Sequence, residues 1–168
     1  AGPEVMAVAP TCRKPNGGTI ERIIWGVERH FKSLESELGG PVSIHGATVL
    51  YRAKELLLAL ESLDKIQESD NSSWFNDDIV IPLMMRSLFP DLKIKYISSL
   101  SIYDQFGTVV QERELNRRVR MVKGNAQWIR QVLPTTFEKN SHVGILAMRR
   151  LFRTLWAYWG FLIAIPFL

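Results

Sequence analysis

Two adjacent carboxylates, Asp77 and Asp78, stand where a polar run from Gln67 to Ser73 gives way to an apolar segment beginning at Ile79. About forty residues later comes a second charged element, Arg117-Arg118-Val119-Arg120. An ionised carboxylate at a helix start can take a proton from a hydroxyl, because the helix N-terminus favours the charged form. Guanidinium forks suit a diphosphate by charge and by bidentate geometry. Together the two elements point to phosphate-ester or sugar-nucleotide chemistry. Each also has a plainer explanation. Acids in a first helical turn oppose the helix dipole, worth about 0.3–1 kcal/mol each, and arginines along a helix commonly form a solvated face. A third candidate is His45 beside Gly46, inside the β-rich stretch Val42 to Arg52. A glycine within a strand marks a bulge or a close approach to the backbone, and the histidine is either a ligand contact or a structural residue.

Other chemistries find no residues to carry them. The chain has no glycine-rich phosphate loop, no dinucleotide fingerprint, no HExxH and no Cys/His group at zinc spacing. Its one cysteine, Cys12, rules out an internal disulfide framework. Asn71-Ser72-Ser73 is a formal glycosylation sequon, a weak three-residue pattern.

These candidates need elements to hold them. Val5 to Val8 reads as a short buried strand and Pro10 to Gly18 as a loop. From Thr19, the positions Ile20, Ile23, Ile24, Val27, Phe31, Leu34 and Leu38 recur at helical spacing, which predicts one buried stripe stopped by Gly39-Gly40. Glu21, Glu28, Glu35 and Glu37 then read as the solvated side. Ala53 to Leu63 predicts a second helix. A third, starting at Asn76 as N-cap, is apolar on nearly all sides and therefore buried. Pro82 inside it removes the bond to the Asp78 carbonyl and loosens the first turn. Lys93 to Ser98 reads as a strand that Leu100 to Tyr103 continues or pairs with. From Gln111 a further helix buries Leu115, Val119, Val122, Ala126 and Ile129, sets Arg113, Arg117 and Arg120 along another face, and closes at Pro134. Alternating strand and helix signals predict an α/β layered fold.

In order, Gly46 to Arg52, Asn76-Asp77-Asp78-Ile79, and Arg117 to Asn125 followed by an apolar span resemble the C-terminal part of a membrane-anchored family-2 glycosyltransferase, the group of cellulose, chitin and hyaluronan synthases. The resemblance covers nearly the whole chain. It implies that Asp78 is the catalytic base of a TED-type motif, with Asp77 in place of the usual Glu. It lays the QxxRW motif, which holds the donor diphosphate and the acceptor end, on Arg117 to Met121. Arg120 matches that motif, while Arg stands for Gln at Arg117 and Met for Trp at Met121. The implied fold is part of a GT-A-like domain, a mixed sheet with flanking helices over residues 1–140, followed by a basic segment and the start of a transmembrane helix over 141–168. The implied donor is a nucleotide-sugar, a UDP-sugar, and the acceptor a saccharide or lipid at the cytoplasmic membrane face. Mg2+ or Mn2+ would be held by a DxD motif on an upstream half. No DxD occurs here, so these residues by themselves are expected neither to bind donor tightly nor to catalyse transfer.

Charge and hydropathy agree with a membrane boundary. Residues 112–168 carry 10 basic and 3 acidic side chains, against 11 and 14 in residues 1–111. The basic end suits phosphate groups or an anionic membrane surface rather than nucleic acid, since it lacks interleaved aromatics. Arg149, Arg150 and Arg153 precede an uncharged run from Leu155 to Leu168 that is still apolar where the sequence stops. The chain therefore reads as a piece of a longer protein, and a buried core helix is the other reading of that run.

Overall fold

The computed structural model describes residues 2–13, 19–44, 48–67, 74–103 and 111–164. The elements are β1 (Val5–Arg13), α1 (Thr19–Glu37), β2 (Leu50–Tyr51), α2 (Ala53–Gln67), α3 (Asp77–Leu88), β3 (Lys93–Tyr103), α4 (Gln111–Gln127), a π-helical turn (Trp128–Val132), α5 (Leu133–Lys139) and α6 (Ser141–Ala164). Helix dominates. The sheet has three strands in the order β2-β1-β3, with β1 antiparallel to β2 and parallel to β3.

This corrects the expected α/β fold with its partial GT-A-like sheet. Among the described residues of the β-rich stretch from Val42 to Arg52, only Leu50 and Tyr51 join the sheet, opposite Val8 and Ala7. Val42 to Ile44 are buried without strand pairing. Pro10 to Arg13, expected as loop, instead extends β1, and a register shift between Pro10 and Thr11 carries β3 past Ile97 to Ser101.

The core joins Met6, Ala7 and Ala9 of β1 and Ile94 of β3 to Ala59 and Leu63 of α2 and to α3, whose Ile79, Val80, Leu83, Met84 and Met85 are all fully enclosed. Trp128, Val132, Val143 and Ala147 close it from the other side. As its all-round apolarity predicts, α3 is a buried helix.

Two predicted stripes face the other way. On α1, Ile24 is 60% exposed, Phe31 40% and Leu34 42%, whereas Glu28 and Glu35 are buried at 7% and 3%. The reason is the neighbour α1 covers. β3 is an edge strand, and its amides need polar partners. The Tyr96 N–H donates to Ser36 Oγ at 3.0 Å, and the Ile94 N–H to the Gly39 carbonyl at 2.9 Å. Ser36 lies on the polar face of α1, so supplying its hydroxyl to β3 turns the apolar face out. Gly39 and Gly40 end the helix with φ of 99° and 127°, and a Cβ on Gly40 would meet the Ile94 backbone at 2.6 Å. Chain reversal and close approach thus both require glycine there.

On α4, Leu115, Val119 and Val122 are exposed, and burial is found towards the far end, at Gly124 and at Trp128 in the π-helical turn that follows. Pro134 does not close this helix. The chain passes through the π-helical turn and Pro134 falls in the first turn of α5, where a missing N–H is tolerated. Asn140 breaks the run and starts α6, its side chain accepting from the Val143 N–H at 3.3 Å.

The expected start of a membrane span is also corrected. Among the described residues no helix is long and apolar enough to cross a membrane. The part of α6 beyond Arg153 rises roughly 16 Å, about half of a hydrocarbon core of roughly 30 Å.

Candidate functional site

The N-terminus of α3 is where chain segments of very different sequence position meet. Pro82 has no N–H, so the Asp78 carbonyl lacks its partner within the helix. The Ile44 amide takes that place, donating to the Asp78 oxygen at 3.0 Å. A helix defect that sequence identifies is thus repaired by a segment 34 positions earlier. The repair carries Ser43 to the same spot.

The two acids divide their roles. Asp77 is exposed, and its Oδ1 accepts from the Asp78 N–H at 3.0 Å, a local contact that fits its first-turn position. Asp78 is half-buried, with Arg150 Nη2 of α6 3.9 Å from its Oδ2. That is a charge contact rather than a hydrogen bond. Arg150 donates from Nη1 to Ser43 Oγ at 2.8 Å. Tyr51 of β2 completes the group: burial, and then the charges of Asp77 and Asp78, hold its phenol well above the ordinary tyrosine range. Tyr51 is thus a neutral hydroxyl facing two carboxylates.

Behind the acids, Asn76 does not cap α3 through its side chain, contrary to the sequence pattern. Only its carbonyl serves the helix, accepting from Ile79 and Val80 at 3.0 Å. The side-chain amide instead reaches α4, 3.0 Å from Asn125 Oδ1. Turned over, it would accept from the Asn125 backbone N–H at 3.2 Å, so both orientations tie α3 to Asn125. Gly124 makes this possible, since a Cβ there would lie 2.5 Å from the Asn76 amide. Trp128 Nε1 also donates to Asn125 Oδ1, at 3.2 Å, and the Phe75 N–H donates to Gln127 Oε1 at 3.3 Å. The Asn76-Asp77-Asp78 and Arg117 to Asn125 stretches are therefore joined at their Asn76 and Asn125 ends.

Arg117 and Arg120 are exposed on α4, as is Met121, whose sulfur lies 3.9 Å from Arg117 Nη1. A guanidinium beside Asp78 comes from α6, that of Arg150. His45 and Gly46 lie outside the described residues. Among the described residues no group of three or more His, Cys, Asp or Glu could hold a metal ion. Asp77 and Asp78 alone do not make a divalent-metal site, and no chemical step is routed through one. A cleft of about 340 Å³ opens elsewhere, between α1 and the sheet, lined by Glu4, Ser33, Glu37, Lys93 and Lys95 among others. None of the sequence-predicted site residues lines it.

Tyr51, Ser43 and Arg150 were not singled out as site residues by sequence. Tyr51 ends the β-rich stretch without a motif around it, and Arg150 reads as membrane-flanking charge. The one sequence signal that leads to them is Pro82, because it announces an unpaired Asp78 carbonyl.

Neither a family model nor a curated protein matches this sequence. The resemblance to family-2 glycosyltransferases therefore stands on its motifs alone.

Proposed function

We propose that this chain contributes the acceptor-activating part of an inverting glycosyl transfer from a nucleotide-sugar, a UDP-sugar, to a saccharide or lipid-linked acceptor. Asp78 acts as general base. Its carboxylate takes the proton of the acceptor hydroxyl as that oxygen attacks the anomeric carbon, and the nucleoside diphosphate departs from the opposite face. The exposed guanidiniums of Arg117 and Arg120 bind diphosphate oxygens. The observation that carries the reading is the joining of the Asn76-Asp77-Asp78 and Arg117 to Asn125 stretches through Asn76, Gly124 and Asn125. Two motifs separated by more than forty residues in sequence have one reason to be adjacent if they serve one site. Polysaccharide synthesis at a membrane face is the setting the motifs suggest, and addition of a single sugar to a lipid uses the same base.

Asp78→Asn in the longest form of the protein its gene encodes tests the assignment. Removing a general base lowers kcat by about 10²–10⁴-fold. Transfer at the original rate by a folded Asp78→Asn protein sinks it.

A second reading, a non-catalytic module on anionic membranes, is favoured by one observation. Leu115, Val119 and Val122 are exposed on the same helix as Arg117, Arg118, Arg120 and Lys123, the composition of an interfacial helix. Salt-sensitive sedimentation with anionic vesicles, together with transfer indifferent to Asp78→Asn, selects it.

A further inference from the structure

We propose that Arg150 is a positioning residue for Asp78, braced by Ser43 and delivered by a backbone bond that exists because Pro82 interrupts α3. This rests on the reading of Asp78 as the base. It adds a residue that the glycosyltransferase motifs do not contain.

Four observations carry it. First, Arg150 is the cation 3.9 Å from the Asp78 carboxylate, and its side chain is 13% exposed, so its charge is little screened. Second, Arg150 is held from the far side by Ser43 Oγ at 2.8 Å. Third, Ser43 is fixed by its neighbour: the Ile44 N–H sits on the Asp78 carbonyl that Pro82 leaves open. Carboxylate, hydroxyl and guanidinium thus form a closed loop of contacts from α3 through the Ser43–Ile44 segment to α6 and back. Fourth, α6 is clamped one residue earlier. Arg149 donates to Glu35 Oε1 at 2.8 Å and lies 3.5 Å from Glu28 Oε2. Neighbouring arginines therefore have different tasks. Arg149 fixes α6 against α1, and Arg150 then reaches Asp78.

The consequence is chemical. A guanidinium beside a half-buried carboxylate favours its ionised form, which a base must have before it meets the acceptor. Among the described residues, the charged or titratable groups facing this site besides Arg150 include Asp77 on the same helix and the Tyr51 phenol from β2. Both are common to every variant below.

The test needs no turnover, so it stands or falls separately from the base assignment. Carboxyl-carbon NMR on the aspartate-labelled 168-residue chain follows the titration of Asp78 in the wild type, Arg150→Gln, Arg150→Lys, Ser43→Ala and Arg149→Gln. In Arg150→Gln the Asp78 midpoint moves up by about half to one pH unit, the range left to a partly exposed carboxylate losing an opposite charge. Arg150→Lys restores most of that shift, and Ser43→Ala gives a smaller rise of the same sign. Arg149→Gln, which loosens α6 from α1 but keeps the Arg150 charge, gives a smaller rise than Arg150→Gln, and a merely structural role for α6 would not rank the two arginines in this way. An unmoved midpoint in folded Arg150→Gln overturns the proposal. If Arg150→Gln does not fold, an unmoved midpoint in Ser43→Ala overturns it.

Discussion

Helices α1 and α3 divide their polar and apolar residues in opposite ways, and their packing differs for that reason. α3 is apolar around most of its circumference and is enclosed from Ile79 to Met85, with its polar N-terminus at the surface. α1 has the cleaner amphipathic pattern of the two, yet its apolar stripe faces out while Glu28 and Glu35 face in. A helix without a polar face has one solution in water. A helix with two good faces has two, and the choice belongs to whatever it covers. For α1 that is the open edge of β3, whose Tyr96 and Ile94 amides find acceptors in Ser36 and Gly39, together with Arg149, which finds Glu28 and Glu35. Unpaired buried donors cost about 1–3 kcal/mol each, comparable to the gain from burying a large apolar side chain. Several of them on one face can turn a helix over.

Three substitutions break or sharpen this contrast. The largest effect is expected from Leu83→Ala in the enclosed part of α3, where a cavity with no room to collapse costs about 3 kcal/mol, read from the midpoint of urea unfolding. Next is Glu35→Ala on α1. It leaves the Arg149 guanidinium without its 2.8 Å partner and the Val42 N–H without the acceptor at 3.2 Å. Because Arg149 is itself partly exposed, a loss of about 2 kcal/mol is expected rather than the full cost of an orphaned buried charge. If α1 instead packed by its apolar stripe, this change would be silent in the same urea assay. The smallest effect is Ile24→Ser, at an exposed position of that stripe, expected to stay within about 0.5 kcal/mol. A loss comparable to that of Leu83→Ala would show that the stripe is buried in solution.

Legibility in the sequence varied with the kind of information each feature needs. The limits of α1, its glycine stop and the enclosed α3 follow from local periodicity and turn chemistry, which the chain carries within a window of one element. The strand from Lys93 to Ser98 was legible for the same reason, and the structure decides that Leu100 to Tyr103 continue it rather than pair with it. The sheet was not. Val42 to Ile44 has strand composition but its backbone is used elsewhere, with the Ile44 amide on Asp78 and the Val42 amide on Glu35. Composition reports that a segment fits a buried extended conformation, not whether a neighbouring strand edge is free to take it.

The candidate site divides along the same line. The pair Asp77-Asp78 was visible in the sequence because two acids at a helix start form a local pattern, the choice of Asp78 within it came from the resemblance, and the defect at Pro82 was read from proline geometry alone. Which amide repairs that defect, which guanidinium approaches the carboxylate, and that a tyrosine hydroxyl stands beside it are matters of which distant segments are brought together. Arg120 and Arg150 are indistinguishable as residue types. One is exposed on α4 and the other lies 3.9 Å from Asp78. The sequence by itself determined helices α1, α2 and α3, the acids and the break in α3, since each depends on spacing within a single stretch. Only the tertiary structure decided the direction of α1, the partner of the Asp78 carbonyl and the choice of Arg150, because each is settled by competition among polar groups far apart in the chain.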